Sequence, residues 1–508
     1  MLGVAAFHST PRKQGGPLIP LFAAMLKAST SLEIARTAGR IALTFMPVIL
    51  LTNRKSQIGM KIAALKGNPP SEESKTELLR KIRNRKVFLY ILLLVPATLF
   101  WATIIASLEK TPLTGRWRMI ILSPEEEEEI AAQLAGPGWY NAVGEILAQD
   151  GSPRIIPTTD WRYAWVNHVL RRLEATIPVL TNEPKMYPQW SEDHQDIPPM
   201  PPPAEYPLRP RPRASEYLRW FCESICERKV QPMPHAIPGP PYSLLVVDNP
   251  GASNAFSYGF GPDGGGGIVV YSGFLDDVLS RIPPPETVLS SHKEERSWWS
   301  KLLGNIFSTP LPPPSHPIPT AAQTTELAIL LAHELSHLIL SHHLESLSSA
   351  TVIIPGTISI LADVLRVLIF PVTMLFGPFV NDAVAQLGKV GSGELIKVGE
   401  YCTSMKQEIE ADVVSARLLA HAGFDAREAV KFWEIRSGTI SECSRSDSIE
   451  DPTKRSSENL ARRIMGSTHP VNEIRVDCLK NELARWETER RSVVSRVQSG
   501  SQEAAPET

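Results

Sequence analysis

The sequence predicts an α+β protein that is mostly helical, contains one small β-sheet and is preceded by a single transmembrane helix. Three observations predict this architecture. An uncharged apolar run covers residues 87–108, apolar residues at helical spacing surround 328–340 and 402–422, and two short β-type runs lie at 244–248 and 268–271. With 508 residues and 43% hydrophobic residues, the chain can bury a sizeable core and still carry additional segments.

The overall composition argues against several classes of protein. The formal net charge is −2, which provides no general attraction to nucleic acid, so no nucleic-acid partner is expected. The five cysteines include no Cys-x-x-Cys pair, so the sequence indicates neither a disulfide framework nor a structural zinc site. We interpret the three proline clusters as extended connecting segments, at 198–212, 232–241 and 310–319.

The N-terminal region, residues 1–56, is basic and nearly free of acidic side chains. Glu33 is its only acidic residue, and Ser, Thr and Ala are frequent. This composition is typical of a mitochondrial presequence, although an ordinary basic tail would have the same composition. A second basic segment follows at 57–86, and we expect it on the matrix side of the membrane.

The run at 87–108 is the predicted transmembrane helix. Its 22 uncharged residues suffice to cross a hydrocarbon core of ~30 Å, and Pro96 would bend the helix without preventing this. A buried helix of a soluble domain is the alternative. The excess of Lys and Arg before the run predicts that the N-terminus lies on the cytosol-like side and 109–508 across the membrane; in a mitochondrion these sides are the matrix and the intermembrane space.

The apolar segment 328–340 contains the sequence His333-Glu334-Leu335-Ser336-His337. On a helix, His333 and His337 lie one turn apart on the same face and can hold one metal ion together. The carboxylate of Glu334 could then accept a proton from a water molecule activated by that metal. Two core histidines satisfied by backbone groups are the alternative without function.

Two residues compete as the third ligand of such a metal. On an unbroken helix, His343 would point roughly 80° away from His333 and lie about 15 Å along the axis, so the two could not share an ion. We therefore interpret His342 and His343 as surface residues at the helix end. Glu408 is the better candidate, because it lies in the helical pattern at 402–422.

Two further groups accompany this third-ligand candidate. Asp412 is four residues after Glu408, so both carboxylates face the same way and Asp412 could orient a ligand imidazole. Glu410 lies on a different face of that helix, and a solvated acidic helix is the alternative. Farther along, His469 and Arg475 offer a donor and a cation that could stabilise an oxyanion near the metal, or they belong to an incidental loop.

The remaining segments are less informative. Residues 109–243 are helical and proline-rich, and the glycine run at 264–267 predicts a hairpin connection. The insertion at 283–320 could touch lipid or fold back on the domain. The apolar tract at 351–380 could dip into the membrane surface or form a buried helical pair, and 491–508 is expected to be a disordered tail.

In this order, four motifs resemble the membrane-anchored zinc metallopeptidases that include the HtpX-type and CAAX prenyl proteases. They are Asn254-Ala255-Phe256, the His-Glu-x-x-His at 333–337, the Glu-x-x-x-Asp at 408–412, and His-Pro with Arg475 six residues after the histidine. Within that group the chain is similar to the Oma-type metalloendopeptidases of the mitochondrial inner membrane, in a fungal form. Supporting segments are 112–116 and 467–470.

The resemblance implies a zincin-like metallopeptidase core at 244–490 with one bound Zn²⁺. It implies that Glu334 is the general base, that Asp412 stands behind the metal ligands, and that His469 and Arg475 support the transition state. The implied metal ligands are His333, His337 and Glu408. The implied partners are the lipid bilayer and inner-membrane proteins cleaved in quality control or stress, with a homo-oligomer left open. A membrane metalloprotease of another compartment and a non-catalytic, metal-stabilised membrane scaffold are the alternatives.

Overall fold

A computed structural model of the protein describes most of the helical core and its N-terminal helices. The described residues are 29–67, 70–148, 152–187, 190, 198–211, 223, 239–261, 263–281, 316–349, 364, 405–436 and 473–503. Nearly all of the insertion at 283–320 and of the apolar tract at 351–380 lies outside the described residues, as does His469. The described chain is mostly helical, as predicted, but it contains two small sheets, one of two strands and one of three, where a single sheet was expected.

Two long apolar helices, rather than the single one predicted, precede the folded domain. Helix α1 covers Ser29–Leu65 and helix α2 covers Glu72–Ser107, and they pack together as a helical hairpin in which Gly39 lies against Pro96. Both are long and apolar enough to cross a membrane by length and composition. The expected presequence boundary at residue 56 falls inside α1.

A small β-hairpin follows α2 without a linker. Strand β1 (Leu108–Lys110) pairs antiparallel with β2 (Trp117–Met119), and residues 111–116 form the loop between them. Gly115 has φ +72°, and an added Cβ would lie 2.4 Å from the ring of Tyr206. This position therefore requires glycine, and the loop is held closely against the proline-rich segment.

The domain itself is built from helices of very different lengths. Two of the amino-terminal helices begin with Pro, at Pro124 and Pro137, and at the first of them Ser123 and Glu126 form a capping box. The helices in chain order are α3 (Pro124–Leu134), α4 (Pro137–Leu147), α5 (Trp161–Glu174), α6 (Ile177–Leu180), α7 (Glu183–Met186), α8 (Ser272–Arg281), α9 (Ala321–Ile339), α10 (His342–Ser348), α11 (405–421), α12 (428–436) and α13 (Glu473–Glu503).

The last helix differs from the prediction. Residues 491–503, which were expected to be part of a disordered tail, belong to α13. In the turn that leads into this segment, Glu487 forms ion pairs with Arg490 at 2.9 Å and with Arg491 at 3.0 Å, and within it Nε of Arg496 donates to the carbonyl of Ser492 at 3.0 Å. Pairs at these spacings stabilise helical turns that have little apolar surface to bury. The composition of the segment therefore indicated its polarity correctly but not its conformation.

The central sheet has three strands in the order β3–β5–β4. Strands β3 (Ser243–Val247) and β5 (Gly266–Tyr271) are parallel, whereas β4 (Ala255–Gly259) is antiparallel to β5. The two strands predicted at 244–248 and 268–271 are thus present. The glycine-rich connection does form a hairpin, but it joins β5 to β4, a strand that the sequence analysis did not expect.

The outer edges of this sheet are not equivalent. Along β3, the amide of Ile156 donates to the carbonyl of Val246 at 2.9 Å, and the amide of Asp248 donates to the carbonyl of Arg154 at 2.7 Å. Strand β4 forms the opposite edge and lies beside α9. Helix α9 packs on both the sheet and α5, and Leu331 is fully buried there. The main hydrophobic core therefore surrounds the segment that carries the two histidines.

Candidate metal centre

Helix α9 holds His333 and His337 on its buried inner face. Their Nε2 atoms lie 3.2 Å apart, and the two side chains are 0% and 8% exposed. Glu408 approaches from α11, with Oε2 3.3 Å from Nε2 of His333 and Oε1 3.5 Å from Nε2 of His337. Although 71 residues separate Glu408 from the second histidine in sequence, packing of α11 against α9 brings the three predicted ligands together.

These three residues fit a zinc ion. With bonds of about 2.0–2.1 Å, neighbouring ligand atoms of a tetrahedral zinc site lie about 3.3 Å apart. The two histidine Nε2 atoms are 3.2 Å apart, close to that spacing, and the two oxygens of Glu408 lie 3.3 and 3.5 Å from one histidine each, so one ligand atom of every residue lies within 4.8 Å of the others. Two imidazole nitrogens and one carboxylate, with a fourth position for water, form a donor set that is typical of catalytic zinc. Among the described residues, this is the one group of three His, Cys, Asp or Glu with such convergence.

Asp412 orients the first histidine. Its Oδ1 lies 2.9 Å from Nδ1 of His333, so the opposite ring nitrogen faces the other two ligands. Burial raises the pKa of Asp412, but Arg475 and His333 outweigh this effect and lower it, so the carboxylate is an ionised acceptor. Burial lowers the pKa of His333, but Asp412 and Glu408 outweigh it and raise it, which indicates a site that favours positive charge.

Arg475 lies behind the ligands at the start of α13 and is fully buried. Its Nε and Nη2 donate to the two carboxylate oxygens of Asp412 at 2.8 and 2.9 Å, and Nη1 is 3.0 Å from Oε2 of Glu408. The guanidinium also lies 4.7 Å above the ring of Trp433. These contacts favour a role in holding the ligand carboxylates over direct contact with a reacting carbonyl.

Glu334 is fully buried on α9, next to His333 in sequence. Its charge contributes to raising the pKa of Arg475, for which burial is the largest and opposing effect. Glu334, Glu408 and Asp412 carry three formal negative charges against the single positive charge of Arg475, and a divalent cation would balance the remainder. The buried carboxylates thus give a second physical reason for a metal at this position.

The prediction that His342 lies on the surface is wrong, because α9 does not continue past Ile339. Ser341 adopts a left-handed conformation with φ +55°, and α10 restarts at His342 in a new direction. His342 is therefore buried, at 2% exposure, with Nδ1 2.9 Å from Nδ1 of His337. Nε2 of His343 instead lies 3.3 Å from the hydroxyl oxygen of Ser257, outside the ligand cluster.

A second carboxylate, Glu410, stands behind His342. Its Oε2 lies 3.3 Å from Nε2 of His342 and 2.7 Å from Nη2 of Arg116, while Thr114 donates its hydroxyl to Oε1 at 2.5 Å. Burial raises the pKa of Glu410, but the contacts with His342 and Arg116 outweigh it and lower the pKa to about 2. Sequence reasoning assigned no role to Glu410, since its contacts come from the hairpin about 300 residues earlier.

Comparison with known proteins agrees with this geometry. No curated protein and no solved structure matches the chain. The model of peptidase family M48 matches residues 223–483, which is just over half of the chain and includes both α9 and α11. This family consists of metallopeptidases, and the converging ligands at 333, 337 and 408 are compatible with that chemistry. The chain belongs to peptidase family M48.

Proposed function

We propose that the protein is a zinc-dependent metalloendopeptidase that cleaves membrane or membrane-associated proteins. The observation that carries this proposal is the convergence of His333, His337 and Glu408, with Glu334 buried on the same helix next to His333 in sequence. Membership of a metallopeptidase family supports the reaction type, and the donor set supports zinc as the metal.

The reaction would use the chain's own groups in distinct roles. Zinc, when held by His333, His337 and Glu408, would supply Lewis-acid activation of water and of the substrate carbonyl. Glu334 would accept the proton of the attacking water and return it to the leaving amine. Asp412 holds the ring of His333 in the tautomer that leaves Nε2 available, and His469, outside the described residues, is a candidate for stabilising the oxyanion.

An extended peptide could reach this site along β4. This strand is the sheet edge next to α9, whereas residues 154–156 cover part of the opposite edge. A substrate that adds as a further strand would be held by main-chain hydrogen bonds, largely independent of its side chains. Such binding would suit an endopeptidase that accepts several substrates.

The N-terminal helices support a membrane location. Their outer faces expose large apolar side chains, including Phe45, Phe88 and Trp101, which water would not stabilise. Both helices are candidate spans; 21 residues of the uncharged run lie in α2 (87–107), whereas the uncharged run of α1, 41–53, has 13 residues. We therefore propose α2 as the main span, with α1 packed against it as a second candidate span.

Charge then suggests the orientation and compartment. Residues 54–86 contain ten Lys or Arg and three acidic residues, so this segment would face the matrix and the peptidase domain the intermembrane space. Together with the presequence-like N-terminus and the Oma-type resemblance, this supports an inner-membrane quality-control protease. Import into isolated mitochondria, followed by protease protection, tests the placement; insertion into another membrane instead would favour an HtpX-type or CAAX-type role.

The catalytic proposal is tested with Glu334→Gln and His337→Ala in the full-length chain in liposomes. We expect Glu334→Gln to keep one zinc per chain and lose cleavage of a co-reconstituted membrane protein by about 10²–10⁴-fold. His337→Ala should lose both zinc and activity. Full activity of Glu334→Gln would contradict the assigned base, and zinc uptake without any cleavage by the wild type would favour the scaffold alternative.

A further inference from the structure

The ring nitrogen of His337 that does not face the predicted metal, Nδ1, contacts a second histidine, His342. Nε2 of His337 faces His333 and Glu408, while Nδ1 lies 2.9 Å from Nδ1 of His342. Two imidazole nitrogens at this distance need one proton between them, because one must donate and the other must accept. The direction of this hydrogen bond determines the tautomer of both rings.

Metal binding selects one direction. A nitrogen that binds a metal uses its lone pair, so the proton of His337 must be on Nδ1 when Nε2 binds. His342 then accepts at Nδ1 and carries its own proton on Nε2. That nitrogen lies 3.3 Å from Oε2 of Glu410, which is an acceptor when ionised. Each group therefore determines the protonated nitrogen of the next.

The β1–β2 hairpin holds Glu410, the last group in the series His337–His342–Glu410. Thr114 donates to Glu410, and Arg116 contacts both Glu410 at 2.7 Å and Glu345 at 2.7 and 2.8 Å. From β2, Arg118 donates to the carbonyl of Leu340, at the point where α9 ends. The hairpin thus supports both the carboxylate of Glu410 and the break at Ser341 that turns His342 inward.

We infer that His342 and Glu410 are positioning residues for the second zinc ligand, and that the hairpin loop 111–116 completes the metal centre. This inference rests on the proposed zinc site. It adds a contribution from outside the matched family region at 223–483, since the hairpin that carries this loop follows helix α2 directly. The two histidine ligands are also oriented differently, His333 by a carboxylate and His337 by a neutral imidazole.

The test uses the full-length chain in detergent and measures zinc affinity by chelator competition, with Co²⁺ absorption spectra as a readout of ligand geometry. His342→Leu should weaken zinc binding by about 10–100-fold and change the Co²⁺ spectrum. His342→Asn should restore most of the affinity, because its amide oxygen can accept from Nδ1 of His337. His343→Leu is the matched control, since His343 contacts Ser257 instead, and it should bind zinc as the wild type does.

A milder variant addresses the hairpin. Thr114→Val removes one hydroxyl without changing the side-chain shape, and we expect about 2- to 10-fold weaker zinc binding in the correctly folded chain. If His342→Leu and Thr114→Val both bind zinc as tightly as the wild type, this inference is overturned but the proposed function is not. The same holds if His343→Leu loses as much zinc affinity as His342→Leu. A wild-type chain that takes up no zinc would instead overturn the proposed function on which the inference rests.

Discussion

Replacing Arg475 by Met tests how the buried charges behind the metal ligands are held. The substitution keeps much of the side-chain volume but removes three contacts with Asp412 and Glu408 at 2.8–3.0 Å. Because Arg475 is 1% exposed, water cannot replace the lost donors. Breaking a buried ion pair by removing one partner costs about 3–5 kcal/mol, a large part of the ~5–15 kcal/mol that stabilises a domain.

Thermal unfolding of the full-length chain in detergent measures this loss. At about 2–4 °C per kcal/mol for a domain of this size, the Tm should fall by roughly 6–20 °C. Arg427→Met is the matched control, because Arg427 makes similar contacts with Asp425 but its side chain is 61% exposed. The control should lose no more than about 1 kcal/mol, since water solvates the carboxylate that remains.

Zinc provides a second comparison. The Tm loss of Arg475→Met should be smaller with zinc than with chelator, because a divalent cation beside Glu408 replaces part of the missing positive charge. If Arg475→Met and Arg427→Met unfold at the same temperature in chelator, the guanidinium contributes no more than a surface pair and the reasoning is refuted.

Three further predictions follow from the same structure. Bound zinc should stabilise the folded wild type in proportion to ln(1 + [Zn²⁺]/Kd), so removing zinc with a chelator should lower the Tm. A Tm that does not depend on zinc would contradict a metal bound in the folded state. Burial raises the pKa of Glu183, but the contacts with His421 and Arg417 outweigh burial and lower the pKa below its ordinary value of 4.5. The ionised carboxylate therefore stabilises the folded state above pH 4.5, and this stabilisation is lost as the pH falls further. Glu183→Gln should therefore be less stable than wild type at pH 7, with a Tm difference that shrinks below pH 4.5; a pH-independent difference would contradict this. Gly267→Ala should cost about 1–3 kcal/mol in thermal unfolding, because an added Cβ would lie 2.5 Å from the carbonyl of Ser243, whereas Gly59→Ala has open space and should be neutral or stabilising.

Much of the centre follows from local sequence alone. The i, i+4 spacing of His333 and His337 determines that they share one face of any helix that contains them, and Glu408 and Asp412 repeat that spacing. The apolar residues around each pair predict that both faces are buried. The uncharged run at 87–108 indicated a membrane-type helix for the same reason, because composition and length determine it without reference to the rest of the chain.

Only the tertiary structure decided which groups stand behind these ligands. The break at Ser341 occurs at a residue that is neither Gly nor Pro, so periodicity predicted a continuing helix and placed His342 on the surface. The contact between Thr114 and Glu410 joins residues 296 positions apart. Helical and strand periods describe neighbours within about one turn, whereas such contacts depend on how helices and the sheet pack together. The sequence by itself therefore determined the metal-binding faces, and packing alone determined the hydrogen-bonded groups that orient them.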